Sequence, residues 1–307
     1  MLNTLISGVL TFLLTFSLIP ILKKFFLIEP NKRSSHIIPK PTAGGIIFVL
    51  LISLNGILNK HFIPLFCIPL SIVGLLDDKF DLKPFSRLIA QIVTIIFLIN
   101  FSPLNVILLD TFGNFFYIFS LLGLIFLSAG CINFINFADG LDGLLAGCMI
   151  IILATISIYF GSNFWPYVAC LIGFIFLNWY PSKLFMGDVG STFLGALFLG
   201  IILQTDNFIE ATKILLLASP LLGDSLITLT RRLISRESII VPHKSFYFKR
   251  LNQGQLSHKQ VSIIYILATS LICICLLFGN LKLMIATIFL ELLILLMLER
   301  KFAVNYN

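Results

Sequence analysis

Long, continuous runs of apolar residues alternate with short polar segments along the whole chain. Such runs indicate helices that cross a membrane, because a transmembrane strand would alternate apolar and polar residues over about ten positions. The pattern predicts an all-α, polytopic integral membrane protein with 10–11 transmembrane helices in a single transmembrane domain, residues 1–307. We expect eleven spans, at residues 2–22, 44–58, 62–76, 87–103, 115–134, 141–160, 164–180, 191–204, 212–230, 261–279 and 281–298.

Composition excludes a water-soluble globular protein. The chain is 58% hydrophobic and only 11% charged, with a mean hydropathy of +1.05, whereas soluble domains carry about 25% charged residues. The six cysteines lie within or at the ends of apolar runs without zinc-type spacing, so we interpret them as small buried apolar residues. The first span lacks a basic leader and a cleavage site, which favours a retained helix over a cleaved signal.

The basic residues predict the orientation in the membrane. Segments after the odd-numbered spans, together with the C-terminal tail, hold 18 of the 21 Lys and Arg residues. Because basic residues concentrate in cytoplasmic loops, we expect the N-terminus outside, and the odd-numbered connections in the cytoplasm. The net charge of +7 then faces anionic lipid head groups or an anionic substrate, with no need for nucleic acid. We number these connections first to fifth in chain order.

The third connection has the densest polar pattern. Residues 133–143 place two amides and two carboxylates at three-residue steps, at Asn133, Asn136, Asp139 and Asp142, directly after an apolar run. On a helix, such steps put neighbours on one broad face. Polar side chains at the mouth of an apolar segment are costly unless they bind something, although caps and a glycine turn are the structural alternative.

The first and second connections are open to two interpretations. In the first, His36 and Lys40 precede the Gly44–Gly45 pair, whose amides could approach a phosphate or simply begin a helix. In the second, the adjacent carboxylates Asp77 and Asp78 repel each other, so a cation or a shared proton is expected nearby. A solvated helix end with lysine partners is the alternative.

The fourth and fifth connections have residues suited to phosphate. Asp188 lies between glycines and precedes hydroxyls at a helix start, a pattern that suits a Mg²⁺–diphosphate complex or a helix cap. The fifth mixes cations, hydroxyls and aromatics, which would suit a nucleotide. Just before it, Asp224 lies two helical turns from Arg231 inside an apolar run, either as a functional acid or as an arginine partner.

Five segments, in order, resemble the polyprenyl-phosphate N-acetylhexosamine-1-phosphate transferases, a group within glycosyltransferase family 4 that includes the phospho-N-acetylmuramoyl-pentapeptide transferases. The segments are SSHIIPKPTAGG, DDKFDLKPFSR, NFINFADGLDGL, LFMGDVGS and PLLGDSLITLTRRLISRE with PHKS after it. The last resembles the branch that starts O-antigen-type polysaccharides. The resemblance implies transfer of a sugar 1-phosphate from UDP-N-acetylhexosamine to undecaprenyl phosphate in the bacterial inner membrane, with release of UMP.

The resemblance also implies roles for individual residues. Asp188 would be the principal Mg²⁺ ligand (Mn²⁺ is possible) and Asn136 a second metal or phosphate ligand. The expected catalytic residues are Asp77, Asp78, Asp139 and Asp142, of which Asp77 and Asp78 would position or deprotonate the lipid phosphate. The expected substrate-binding residues are Asn133, Gly187, Ser191, Lys40, His36, Asp224, Arg231, His243 and Lys244, with His243 near the nucleotide diphosphate.

The chemistry favours one in-line step, because a lipid phosphate is already anionic and needs positioning more than a strong base. A two-step route through an aspartyl-phosphate on Asp78 or Asp139 is the alternative mechanism. The alternative function is a transporter using intramembrane acids, which predicts polar residues near the midplane. A non-catalytic scaffold gives no reason for five phosphate-suited connections on one side. The sequence does not specify the sugar, the polysaccharide or the oligomeric state.

Overall fold

The computed structural model describes residues 2–30, 38–238 and 243–304, and its architecture there is almost entirely helical. The first helices are α1 (Leu2–Phe25), α2 (Ile46–Leu58), α3 (Ile63–Phe80), α4 (Pro84–Asn100), α5 (Pro103–Phe137), α6 (Leu144–Phe160) and α7 (Trp165–Asn178). They are followed by α8 (Asp188–Leu203), α9 (Phe208–Leu217), α10 (Ser219–Ile234), α11 (Tyr247–Gln253), α12 (His258–Phe278) and α13 (Leu281–Phe302).

Each predicted span coincides with a helix or a pair of helices, which confirms the all-α membrane fold. By length and apolarity, four described helices can cross a membrane, or six if each bent pair is one span. Four more apolar helices have 10–17 residues: α2, α6, α7 and α8. Helix α3 has 18 residues but ends in the charged run Asp77–Lys79. The expected number of 10–11 spans therefore includes helices shorter than the usual length of about 20 residues.

Two bends depart from the expected elements. Between the spans expected at 87–103 and 115–134, Pro103–Gly113 form a helix that meets α4 at 79°, and α5 then bends at Gly113. The span expected at 212–230 is divided into α9 and α10, which meet at 80°. Pro220 lies in the first turn of α10, where its missing N–H is tolerated, but it cannot donate to a carbonyl of α9.

Helix α8 lies at the centre of the fold. Every residue from Val189 to Leu203 is buried, and the helix packs against α2, α3, α4, α5 and α9. Its first turn touches the end of α3 so closely that a Cβ on Gly74 would lie 2.5 Å from the Asp188 carbonyl oxygen. This backbone contact brings Asp77 and Asp78, one turn after Gly74, next to Asp188.

The outer helices present apolar side chains on their surfaces. Helix α13 buries only Met284, and Phe278 at the end of α12 is 85% exposed. Exposed apolar surface of this extent indicates contact with lipid in a membrane protein, because lipid tails are as apolar as the side chains themselves.

The end of the first connection is tied to the fourth. Strand β1 (Leu27–Ile28) pairs antiparallel with β2 (Lys40–Pro41), in the register Leu27 to Pro41 and Ile28 to Lys40. The amides of Gly44 and Gly45 then donate to the carbonyls of Phe185 and Met186 at 2.9 Å each. Since these amides are already bonded, the glycine pair starts a helix and joins two connections rather than presenting amides to a phosphate.

Candidate functional site

Residues from the odd-numbered connections and the adjoining helix ends converge on one cavity of about 250 Å³, here called the acidic cavity. It lies at the end of the molecule where α3 and α5 finish and α8 begins. Its lining is Ile28, Thr42, Asp78, Asp139, Gly140, Leu141, Asp142, Asn178, Phe185, Gly187, Asp188, Lys249 and His258. The structure thus brings together five of the predicted site residues: Asp78, Asp139, Asp142, Gly187 and Asp188.

Asp78 holds the start of α8. Its Oδ1 accepts a hydrogen bond from the Asp188 amide at 2.9 Å, and its Oδ2 accepts one from the Val189 amide at 3.2 Å. Gly187, at φ +77°, makes this approach possible, because a Cβ there would lie 2.4 Å from Asp78 Oδ2. Burial raises the pKa of Asp78 to about 6, although both amides oppose the shift. This carboxylate acts as a helix cap that fixes Asp188.

Asp77 and Asp188 both contact the same cation, Arg87. Arg87 Nη1 lies 2.5 Å from Asp77 Oδ2 and 3.1 Å from Asp188 Oδ2. Burial, then a hydrogen bond to Asp77 and the charge of Asp78, raise the pKa of Asp188 well above its ordinary value. The pKa of Asp77 is lowered, because the bonds from Asp188 and Arg87 outweigh the effect of burial. The pKa values of the two carboxyls are therefore shifted in opposite directions. The sequence predicted a cation or a shared proton near Asp77 and Asp78, and Arg87 is a cation in contact with Asp77.

Asp139 and Asp142 occupy the other side of the same cluster. Burial, then the charges of Asp188, Asp78 and Asp142, raise the pKa of Asp139 well above its ordinary value. Asp142 Oδ2 accepts from the Ser182 amide at 3.1 Å and lies 3.4 Å from Lys40 Nζ. Since the predicted phosphate-binding Lys40 is paired with a carboxylate, its charge is already partly neutralised.

The two amides of the third connection have separate positions. Ser191 Oγ donates to Asn136 Oδ1 at 2.8 Å, which holds Asn136 against the first turn of α8. Asn133 exchanges two hydrogen bonds with Gln91 of α4, at 2.9 and 3.0 Å. This pair satisfies the Asn133 amide between two helices, and Asn133 does not line the acidic cavity. Its position gives it a role in packing, and the substrate contact remains a prediction.

The donor set is suited to a hard divalent cation. Across the described ranges 2–30, 38–238 and 243–304, no three His, Cys, Asp or Glu side chains form a ready metal cluster. Mg²⁺, however, is commonly held by one or two carboxylates together with substrate phosphates and water. Asp188 at the cavity wall and Asn136 beside the same helix start supply oxygen ligands of this kind.

Asp224 caps helix α11, and none of the ion pairs between described residues joins it to an arginine. It accepts from the amides of Tyr247 (2.8 Å) and Phe248 (3.1 Å), and from the hydroxyls of Thr228 (3.1 Å) and Tyr265 (2.6 Å). It is 3% exposed and does not line the acidic cavity. This acid therefore anchors the start of α11, which gives it a structural role, and the direct substrate contact stays a prediction.

Arg231 also has protein partners. Its guanidinium lies 2.6 Å from Glu299 Oε1 and 2.5 Å from the Tyr247 hydroxyl, and Glu299 forms a second ion pair with Arg250. These contacts join α10, α11 and α13 into one unit. Arg231 thus secures the same short helix as Asp224, and it is absent from the lining of the acidic cavity.

The remaining predicted residues of the fifth connection lie near its aromatic side chains. The His243 ring stacks on Phe246 with centroids 4.7 Å apart, and burial, then Arg232 and Lys249, lower its pKa to about 4. His243 is therefore neutral at pH 7 and would meet a diphosphate as a hydrogen-bonding group. Lys244 is partly exposed beside it. His36 lies outside the described residues.

Sequence reasoning missed three basic side chains at the site: Arg87, Lys249 and His258. Arg87 bridges two acids, and the other two line the acidic cavity. All three lie in odd-numbered connections or at helix starts next to them. The concentration of basic residues in these connections was the feature of the sequence that could have indicated them. Local spacing could not separate these from the other Lys, Arg and His residues on that side.

Comparisons with known proteins agree with this geometry. Residues 62–206 match the family model Glycosyl transferase family 4, a range that includes Asp77 through Ser191. A probable undecaprenyl-phosphate N-acetylglucosaminyl 1-phosphate transferase of Bacillus subtilis is 28% identical over 87% of this chain and 82% of the relative. An undecaprenyl-phosphate alpha-N-acetylglucosaminyl 1-phosphate transferase of Thermotoga maritima is 34% identical over 62% and 61%. A phospho-N-acetylmuramoyl-pentapeptide-transferase of Streptococcus pyogenes is 30% identical over 64% and 71%.

Proposed function

Because the chain belongs to glycosyl transferase family 4, we propose that it transfers an N-acetylhexosamine 1-phosphate from a UDP-sugar to undecaprenyl phosphate. UMP is the other product, and the reaction is the first membrane step of a lipid-linked polysaccharide. The observation that carries the proposal is the acidic cavity itself, where residues of all five odd-numbered connections meet at one end of a membrane protein. A lipid phosphate and a soluble nucleotide donor can both reach such a site, and we place it at the cytoplasmic face of the bacterial inner membrane.

The reaction proceeds in line. An oxygen of the lipid phosphate bonds to the sugar-bearing phosphorus of the UDP-sugar, and the bond from that phosphorus to the bridging oxygen breaks. The bridging oxygen leaves on UMP with the electron pair. A dianionic lipid phosphate has no proton to lose, so this step depends on positioning and charge neutralisation. Asp78 is poorly placed as a covalent nucleophile, because both of its oxygens accept backbone amides.

We propose Mg²⁺ as the cofactor, with Mn²⁺ as a substitute. When bound, it would neutralise the diphosphate and polarise its oxygens. Asp188 and Asn136 would hold it, since both are fixed at the start of α8, one by the Asp78 cap and the other by Ser191. The start of α8 therefore holds the oxygen ligands of Asp188 and Asn136 at the same helix turn. Arg87 shows that this place already attracts a positive charge, because it contacts both Asp77 and Asp188.

The test is UMP release by the purified protein with UDP-sugar and undecaprenyl phosphate. We expect Asp188→Asn to abolish transfer, a loss of at least about 100-fold, because a neutral amide is a weaker ligand and cannot balance the cation. Asp81→Asn is the matched control, since Asp81 is exposed on the same side of the protein. Substantial Mg²⁺-dependent turnover by Asp188→Asn would contradict the metal assignment. Mass spectrometry of the lipid product from a panel of UDP-sugars identifies the sugar.

The transporter alternative has no support in the geometry. It requires acids near the middle of the membrane, whereas Asp77, Asp78, Asp139 and Asp188 gather where their helices end or begin. The relatives that match the chain are named as transferases. Substrate counterflow in vesicles without UMP release would be the result expected of a carrier.

A further inference from the structure

Lys249 is the one lysine or arginine that lines the acidic cavity in the described part of the chain, beside four aspartates. It lies on α11, whose first two amides are bound by Asp224. The next residue, Arg250, pairs with Glu299 and donates to the Val304 carbonyl at 2.9 Å. The backbone on both sides of Lys249 is therefore anchored, and its side chain is directed to the cavity by a fixed helix.

No ion pair within 4.0 Å joins the Lys249 ammonium to an acid of the described ranges, whereas Lys40 has one ion pair and Arg87 has two. The ammonium instead lies 5.5 Å from the ring centroid of Phe246 and 5.8 Å from that of Phe248. Burial lowers the pKa of Lys249, and the negative charge of Asp224 only partly opposes this shift. A partly buried cation without an ion-pair partner is stabilised when a ligand supplies the anion.

The position of Lys249 indicates which phosphate it meets. It lies on the fifth connection, whose Phe248, Phe246 and His243 rings stack in turn 5.6 and 4.7 Å apart, next to Lys249 but outside the described lining of the acidic cavity. The carboxylates that suit the metal lie on other elements, at the ends of α3 and α5 and at the start of α8. Phe246 and Phe248 are buried, so the partly exposed His243 ring is the one of the three that is open to a nucleotide. The charge of Lys249 acts on this ring, and the cation is therefore placed for the phosphate nearest the nucleoside.

We propose that Lys249 is a catalytic residue that binds the phosphate of the leaving UMP, an inference that rests on the proposed function. As the phosphorus–oxygen bond breaks, the electron pair moves to the bridging oxygen, and negative charge grows on that phosphate. A fixed ammonium stabilises this charge more in the transition state than in the bound UDP-sugar. Lys249 therefore lowers the barrier to departure of UMP as well as contributing to UMP affinity.

The variant test compares Lys249→Gln with Lys259→Gln, an exposed lysine whose change removes the same charge. We expect Lys249→Gln to lower kcat by at least about 10-fold and to weaken inhibition by UMP by a similar factor. Inhibition by uridine, which has no phosphate, stays unchanged, and Lys249→Arg retains most of the UMP affinity. Equal weakening of inhibition by UMP and by uridine, or an unchanged kcat, would overturn the assignment.

A second measurement uses the unaltered protein and does not depend on the folding of a variant. Acylation of the Lys249 amine by an amine-selective reagent is measured by mass spectrometry. UMP should slow this acylation by at least about fivefold, and uridine should leave its rate unchanged. Equal protection by both ligands, or by neither, would overturn the proposal. A wild-type protein that releases no UMP would overturn the proposed function instead, so the two failures are distinguishable.

Discussion

Single carboxylates in this protein have two different environments. Asp78 and Asp224 each accept two backbone amides at the start of a helix, so their negative charges are satisfied by fixed donors. Asp139 and Asp188 lie close to other acids, and burial with mutual repulsion raises their pKa values. The first kind builds the site, and the second kind is available to a cation or a proton.

Replacement of Asp224 by Asn separates its structural role from substrate binding. An amide keeps only one acceptor oxygen and turns an N–H₂ group toward two of the four donors, because each carboxylate oxygen accepts two hydrogen bonds. We expect Asp224→Asn to reduce the free energy of unfolding by about 3 kcal/mol, because buried donors lose their partner. Denaturation in detergent measures this loss. The KM for UDP-sugar of the protein that remains folded should stay near the wild-type value.

Asp206→Asn is the control for this prediction. Asp206 is exposed near the opposite end of the bundle, so its change should alter stability by less than about 0.5 kcal/mol. If Asp224→Asn kept wild-type stability and raised only the KM for UDP-sugar, the direct substrate contact predicted from the sequence would be correct and the cap interpretation wrong.

At the scale of elements, α11 packs directly on the third connection. Gly140 leaves room for the contact, since a Cβ there would lie 2.6 Å from Phe248 Cε2 and 3.0 Å from Lys249 Cε. The same short helix is bound at its start by Asp224 and at its end by Glu299. The conformation of the fifth connection is therefore set by α10, α13 and the third connection together.

Gly140→Ala tests this contact. The added methyl group should displace Phe248 and Lys249 and lower kcat by roughly 10-fold, because small misplacements of catalytic groups carry a large cost. UMP release by purified protein measures the loss. Gly130→Ala is the matched control on α5, since a Cβ there meets nothing within 4 Å. A wild-type kcat for Gly140→Ala would show that α11 can shift without consequence.

At the scale of the whole molecule, the odd-numbered and even-numbered connections lie at opposite ends. The acidic cavity is lined by the odd-numbered ones, and a second cavity, of about 540 Å³, is lined by residues of the even-numbered ones such as His61, Ser162 and Asp206. This separation is expected when successive spans cross the membrane in opposite directions. Which end faces the cytoplasm follows from the distribution of basic residues and stays a prediction.

Cysteine labelling tests that orientation. We expect Asn163→Cys to react with a membrane-impermeant maleimide on intact cells, because residue 163 is exposed between α6 and α7 on the predicted outer side. Lys259→Cys should react only after the membrane is opened. The unsubstituted protein is the control, since five of its six cysteines are buried. The reverse pattern would place the N-terminus inside.

Much of the fold and part of the site were predictable from the sequence. The apolar runs predicted the helices because burial in lipid requires about 20 apolar residues for each span. The motifs of the second to fourth connections identified Asp78, Asp139, Asp142, Gly187 and Asp188, all of which line the acidic cavity. Bends were missed where a broken helix leaves the apolar pattern continuous, as between α9 and α10.

The sequence by itself therefore determined the membrane class, the helices, the side on which polar chemistry gathers and most of the acids. The tertiary structure decided which polar side chain faces the cavity and which one supports it. Asn133 pairs with Gln91, Lys40 with Asp142, and Asp224 with α11. These partners lie 42, 102 and 23 residues apart in the chain. These pairs form because helices that are distant in the chain pack against each other. The spacing of residues within one segment does not predict that packing.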